Sequence, residues 1–422
     1  MGYVPRIVDE HLARLLSGLP AVAIDGPKAV GKTATASRLA ATTIALDIPS
    51  EVELLEADPR RLERLAAPIL LDEWQRYPPV WDRVRRLVDA DASPGRFLLA
   101  GSASPSAAIH SGAGRIVRLR MRPMSLAERT MASSAVSLAS LFEGDRPTVE
   151  GHSTVGLGDY AEEIVTSGFP GIRSLDPDYR LDSLDGYLDA LVEHDFAELG
   201  HVVRRPAALR AWLTAFAAAT STTASYNTVL DAATPGQSDK PAKTTTIAYR
   251  DTLARLWVLD ELDAWPGPHT DIAGLTGSPK HHLADPALAA RLLHVGAGAL
   301  VDTPWPGKVR PREGTLLGAL FESLVTLSVR VYAEQNRATV SHLRTRGGEH
   351  EIDLIVQRDD GRIVALEVKI ARAATDRDVR HLAWLRGRLG DRLADCAVVT
   401  AGEVAYRRPD GIAVIPAALL GP

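Results

Sequence analysis

Through about residue 130, short apolar runs alternate with amphipathic stretches, the pattern of strand–helix–strand units on a parallel sheet. Strands are predicted at Ala21–Asp25, Ile44–Asp47, Ile69–Asp72, Phe97–Ala100 and Ile116–Leu119, and helices at Gly31–Ala41 and around Trp81–Ala90. A Gly-, Ser- and Thr-containing stretch, Glu143–Gly158, reads as a connection between domains. From Tyr160 to about Leu300 the period turns helical, with Tyr187–Leu199 and Ala207–Ala219 as amphipathic helices. Thr223–Ala232 and Lys243–Leu259 fit the two helices of a helix-turn-helix, although the linker ATPGQSDKPAK is longer than such turns usually are. From Gly314 a long apolar-periodic helix, Leu316–Glu334, precedes strands at Thr339–Arg344, Glu351–Gln357 and Arg362–Lys369. The turn Asp359-Asp360-Gly361 closes the last two into a hairpin, and a helix at Asp376–Leu389 and a strand at Cys396–Thr400 complete an α-β-β-β-α-β order. The expectation is an α/β chain of three parts: residues 1–145, 159–300 and 313–422.

Composition narrows the class. A chain of 422 residues fits two or three domains, and aromatics at 5% make the core mostly aliphatic. No stretch approaches about 18 to 20 uncharged apolar residues, so a membrane span is not expected. Met1–Glu10 lacks a signal-peptide pattern, and the lone Cys396 excludes an internal disulfide and a cysteine-based zinc site, so a cytoplasmic protein is expected. The net charge of -5 argues against wholesale nucleic-acid coating and leaves room for a local basic face.

Residues 26–33, Gly-Pro-Lys-Ala-Val-Gly-Lys-Thr, match the phosphate-binding pattern G-x-x-x-x-G-K-[ST] between a predicted strand and a predicted helix. Gly26 and Gly31 let the backbone turn tightly. The backbone of Gly26, Pro27, Lys28, Ala29, Val30, Gly31, Lys32, Thr33 and Ala34 then lies against nucleotide phosphate. Lys32 is assigned to the β- and γ-phosphates of ATP and the Thr33 hydroxyl to Mg2+. The apolar run Pro68–Leu71 ends in Asp72, which faces the magnesium, and Glu73, placed to take the proton of the attacking water. After the strand Arg96–Ala100, Ser102 is the first choice for a polar sensor of the γ-phosphate and Ser104 the second. Arg115 is a candidate arginine finger supplied to a neighbouring subunit, with Arg118, Arg120 and Arg122 competing for the role.

With these motifs the chain resembles prokaryotic AAA-type ATPases that carry a C-terminal domain of unknown function. The segments that carry the likeness are GPKAVGKT, ILLDEWQ, LLAGSAS, GRIVRLRMRPMSLAE, SPKHHLADPAL, GALFESLV and EIDLIV…ALEVK. The resemblance covers nearly the whole chain. It implies an AAA-like P-loop NTPase domain, a helical winged-helix-like middle and a PD-(D/E)xK-like, restriction-endonuclease-like end. It also favours Arg115 as the finger.

Asp353 and Glu367-Val368-Lys369 match the D…(D/E)-x-K pattern of that nuclease fold. Strand alternation puts Ile352, Leu354 and Val356 on one face and Asp353 on the other. Likewise Val364, Leu366 and Val368 share a face opposite Glu367 and Lys369, and the hairpin brings Asp353 level with Glu367. Two carboxylates and an ammonium there suit a magnesium site, with Glu322 a further ligand; a solvated charged face is the alternative. Lys240, Lys243, Arg250 and Arg255 give the second helix of the helix-turn-helix a basic character suited to DNA phosphates. Leu253, Leu256, Trp257 and Leu259 suit it equally to packing against protein. The adjacent His281 and His282 suit a metal poorly and read as surface residues. Three functions follow: an ATPase that moves a DNA-contacting C-terminal half, an ATP-regulated metal-dependent nuclease, or a slow nucleotide switch with a protein partner. A homo-oligomer is the expected assembly in the first.

Overall fold

The apolar runs of the N-terminal region fold as five parallel strands, β1 Ala21–Asp25, β2 Thr42–Ala45, β3 Ile69–Asp72, β4 Phe97–Gly101 and β5 Val117–Arg120. The computed structural model describes residues 2–103, 112–144, 146–201, 203–234, 243–267, 277–301 and 316–422. Its strands are ordered β2-β3-β4-β1-β5, so β1 lies inside the sheet between β4 and β5. The chain after β1 must therefore cross to the far edge, which opens a crevice beyond the carboxyl end of β1. On one face the helix Pro79–Ala90 buries Val80, Trp81, Val84 and Val88 in a core with Ala21, Ala23, Leu71, Phe97 and Leu99.

Two details differ from expectation. The helix after the phosphate loop spans Lys32–Ser37 and stops short of Ala41, because the Ala41 and Thr42 N–H groups already pair with the Pro68 carbonyl leading into β3. An unforeseen helix, Ile7–Gly18, buries Leu12 and Leu16. With Phe169–Gly171 and Leu253–Val258, the segment up to Arg122 forms the first of two compact units.

The second unit comprises Pro123–Gly168, Ile172–Thr252 and Leu259–Pro422, so residues 159–300 and 313–422 fall largely in one body. Its sheet has the order β7-β12-β13-β11-β10-β9-β8, built from β7 Gly151–His152, β8 Ala338–Arg344, β9 Glu351–Arg358, β10 Ile363–Lys369, β11 Leu393–Thr400, β12 Val404–Arg407 and β13 Ala413–Pro416. A small pair, β6 Val136–Ser137 and β14 Leu420–Gly421, lies beside it in sequence order at both ends of the unit. Glu143–Gly158 is therefore not a free connection: it supplies the edge strand β7, with Gly151 opposite Ala405. A side chain on Gly151 would meet the Ala135 and Leu419 side chains.

The helix Leu316–Gln335 is long and apolar enough to cross a membrane by length and composition, though it carries Glu322, Arg330 and Glu334, and 72% of its most apolar window is buried inside the protein. It serves as a core helix. Its Ser328 and Tyr332 hydroxyls accept the Leu126 and Ala127 N–H groups, while Glu128 accepts the Ser125 N–H at 2.7 Å. The segment MSLAE is thus a buried turn closed by Glu128 on Ser125 and partly by a distant helix.

In the middle region the expected helix Tyr187–Leu199 instead runs Pro177–Ala190, loosens into a π-turn at Leu191–Asp195, and ends at Phe196–Glu198. The two helices expected of a helix-turn-helix run Tyr226–Ala233 and Lys243–Arg255; most of the linker, with Lys240, lies outside the described residues. His281 and His282 are not on the surface: they are 1% and 2% exposed. His281 shares one ring nitrogen with Glu261 at 3.0 Å and the other with the Ala224 carbonyl at 2.7 Å. Burial pushes His282 well below the usual histidine range, which keeps it neutral.

Candidate active site

The site of the first unit starts where β1 ends. Beyond Asp25 the chain turns so close to β5 that a Cβ on Gly26 would overlap the Met121 carbonyl oxygen. Ala29 (φ 65°) and Gly31 (φ 100°) are both left-handed, and Gly31 opens the helix that begins at Lys32. This curls residues 26–33 into a concave backbone loop at a helix N-terminus, the arrangement that receives phosphate. Lys32 is 6% exposed and folds back over the loop, donating to the Gly26 and Pro27 carbonyls at 2.9 and 2.8 Å. Burial lowers its pKa to about 8, against the opposing pull of Glu73, Asp25 and Asp72.

β3 lies beside β4 and delivers Asp72 opposite Ala100. The Thr33 hydroxyl donates to Asp72 Oδ1 at 2.9 Å, so the two groups assigned to one magnesium ion meet directly. Burial raises the Asp72 pKa, and the Thr33 hydrogen bond partly offsets this. Glu73 leaves the strand in the left-handed region (φ 49°), which turns its side chain off the line of β3. Gln75 then donates to Glu73 Oε2 and to Ser102 Oγ, the latter at 3.1 Å. Ser102 is 2% exposed. Glu73, Gln75 and Ser102 thus form one chain of contacts beside the phosphate loop, and Gly101 permits it, since a Cβ there would overlap Trp74 Nε1 and crowd Gln75 Oε1. Ser104 lies outside the described residues.

Gln75 closes the segment ILLDEWQ but had no role from sequence, because only the neighbouring acids carry a recognised catalytic pattern. Two more residues went unseen for the same reason. Arg6 is buried and donates to the Val30 carbonyl of the loop at 2.8 Å and to the Arg122 carbonyl at 2.7 Å. Tyr3 bonds Thr35 in the phosphate-loop helix at 2.8 Å. A buried arginine must find acceptors, but periodicity does not say where they are.

The arginines separate. Arg118 pairs with the buried Asp25 and Arg120 lies over the Trp257 ring at 4.6 Å, so both are engaged within the unit. Arg115 stands exposed and pairs with Asp89 at 2.7 Å. Asp25 is pushed up by burial, with Arg118 opposing.

In the second unit the hairpin register is as expected: Leu366 lies opposite Leu354, which sets Glu367 level with Asp353. The polar face is not solvated. Ile355, Ile363 and Ala365 on it pack against Val379, Leu382 and Leu385 of the helix Asp376–Leu389, and Asp353 and Glu367 are 7% and 5% exposed. Lys369 donates to Glu367 at 2.7 Å. Glu322 is adjacent in space through Lys280, a residue of the segment SPKHHLADPAL given no role from sequence, which donates to Asp353 at 2.8 Å and Glu322 at 3.0 Å. Burial raises Glu322 to about 7 and Glu367 to about 8. It works in the same direction on Asp353, but Lys280 and Lys369 hold that carboxyl below its ordinary range.

Comparison with known proteins agrees with the first site. Residues 19–130 match the AAA domain family, which makes this segment an AAA-type P-loop domain. Residues 157–298 and 317–420 match two domains of unknown function, DUF8612 and DUF4143. Two curated relatives, the uncharacterized proteins Mb2031c of Mycobacterium bovis and Rv2008c of Mycobacterium tuberculosis, are each 29% identical over 419 residues, spanning 96% of this chain and 82% of theirs. A solved structure, the Aeropyrum pernix ORC2 protein in ADPNP and ADP complexes, aligns over 69% of this chain and 94% of its own at 16% identity and a TM-score of 0.32. At that score the likeness carries no argument.

Proposed function

We propose that the chain is a magnesium-dependent AAA-type ATPase whose turnover moves its C-terminal half. The observation that carries the reading is the set Lys32, Thr33, Asp72, Glu73, Gln75 and Ser102 joined around one phosphate loop. ATP phosphates offer the Lys32 ammonium better acceptors than the two carbonyls it now holds, so binding draws Lys32 off Gly26 and Pro27 and onto the β- and γ-phosphates. Thr33 and Asp72 fit a magnesium ion: a half-buried carboxylate meets a hydroxyl there, and its partial burial disfavours its charge in the absence of a cation. Thr33 and Asp72 would hold such an ion, which would supply neutralising positive charge beside the phosphates.

Glu73 then accepts the proton of the attacking water. To do so its carboxylate must leave Gln75, whose amide is already shared with Ser102. Ser102 is placed to donate to the γ-phosphate once Gln75 turns. Phosphate release from Mg·ATP by the full chain tests the reading.

Assembly belongs to the same proposal. Arg115 is exposed and its Asp89 partner is a surface acid, a pair worth little and readily exchanged for a neighbour's phosphate. Mixing Arg115→Ala with Glu73→Gln subunits is expected to restore part of the activity that each lacks alone. A protein that stays monomeric with ATP, by light scattering, and hydrolyses at the full rate rules out the finger in trans. The DNA-contacting reading gains little from the middle helix, where Arg250 pairs with its neighbour Asp251 and lies 5.0 Å over Tyr226.

A further inference from the structure

We infer that Lys280 takes the place of a metal ion in the C-terminal carboxylate cluster, so that Asp353, Glu322 and Glu351 are held by an internal ammonium in a metal-independent structural site. The lysine is fixed from its backbone outward. Its N–H and C=O exchange 2.9 Å hydrogen bonds with Leu262, which anchors the strand-like segment that carries it. Its side chain is 2% exposed, and Nζ lies 2.8 Å from Asp353, 3.0 Å from Glu322 and 3.2 Å from Glu351. The ammonium donates hydrogen bonds to Asp353 and Glu322, and Glu351 completes the set as an ion pair.

Two further carboxylate oxygens of the cluster are also engaged. Asp353 Oδ2 accepts the Val368 N–H at 2.9 Å, and Glu367 Oε1 accepts Lys369 at 2.7 Å. Glu367 Oε2 is buried with no hydrogen-bond partner, which a carboxyl carrying a proton tolerates better than a bare carboxylate. A hard divalent ion needs several oxygens converging at about 2.1 Å, with freedom to add water. With the Lys280 ammonium among them, these carboxylates do not fit one. Among the described residues no three His, Cys, Asp or Glu side chains converge on a common ion position. The space between Asp353 and Glu322 is held by a charge that arrives with the chain.

The lysine also explains the cluster's layout. It joins residues 280, 322 and 353, which lie on a bridge segment, the core helix and the sheet. Removing one member of such a buried set leaves the others uncompensated, whether or not a divalent ion is present. On this account the divalent-ion requirement of the chain resides at the phosphate loop alone.

The test is thermal unfolding of the full chain with and without MnCl2 or MgCl2, without nucleotide, in an Asp72→Asn background that removes the phosphate-loop carboxylate. With Lys280 present, neither ion should move the midpoint, and Asp353→Asn should lower it equally in the presence and absence of Mn2+. Lys280→Ala should create a response, a Mn2+-dependent rise of several degrees, because the freed carboxylates then bind the ion through mass action. A Mn2+-dependent rise in the protein that retains Lys280, abolished by Asp353→Asn, would overturn the inference. So would a folded Lys280→Ala protein indifferent to Mn2+. Should Lys280→Ala fail to fold, the Asp353→Asn comparison decides by itself. None of these readings depends on ATP turnover, so the ATPase proposal can fail separately.

Discussion

Glu73→Gln is expected to lower the ATP turnover number by about 10²- to 10⁴-fold while leaving nucleotide affinity nearly unchanged. The substitution keeps the side chain's size and its contact with Gln75, since an amide oxygen accepts the same hydrogen bond. What it removes is the capacity to take the proton of the attacking water. Lys32, Thr33 and Asp72, which supply the grip on phosphate and magnesium, are untouched. Steady-state phosphate release, paired with a direct nucleotide-binding measurement, separates the two properties. Equal turnover in the two proteins would remove Glu73 from the catalytic role.

The second large effect falls on stability. Asp285 is fully buried and uses both carboxylate oxygens. Oδ2 accepts the Ser167 hydroxyl at 2.9 Å and the Gly168 N–H at 2.6 Å, while Oδ1 caps the helix Pro286–Leu292 through the Ala287 N–H at 2.9 Å. Asp285→Ala removes the Ser167 bond and leaves the Gly168 and Ala287 N–H groups without this acceptor, at about 1–3 kcal/mol for each N–H, so a loss of at least about 2 kcal/mol is expected. Asp285→Asn keeps the shape and part of the bonding and should lose less. Urea denaturation measures both; a loss under about 1 kcal/mol for the alanine variant would mean that these bonds are not holding the segment.

Much of the first site was legible in the sequence because its chemistry is local. The phosphate loop, the Asp72-Glu73 pair and Ser102 each follow a strand whose apolar run announces it, and β1 and β3 fall where the runs predicted. The hairpin register was legible for the same reason, since alternation and a two-acid glycine turn fix which residues stand level.

The failures share one physical origin. Alternation says that Asp353 and Ile355 lie on one face, but not that a helix covers that face and buries both. Lys280 and His281 sit in a polar-looking stretch, and their burial depends on partners at residues 322, 353, 261 and 224. Arg6 lies 24 residues from the loop carbonyl it holds. Such contacts between segments distant in sequence leave no periodic trace. The edge strand β7 was missed because two residues are too few to carry an alternation.

The central claim is that one phosphate loop with its Asp72–Glu73 strand hydrolyses ATP. The most direct measurement is phosphate release from ATP by the purified full chain, with and without magnesium, beside the Lys32→Ala protein. The account predicts magnesium-dependent release by the wild type, none above background without the ion, and loss of both nucleotide binding and release in Lys32→Ala. Wild-type release indistinguishable from that of Lys32→Ala, with magnesium present, would contradict it.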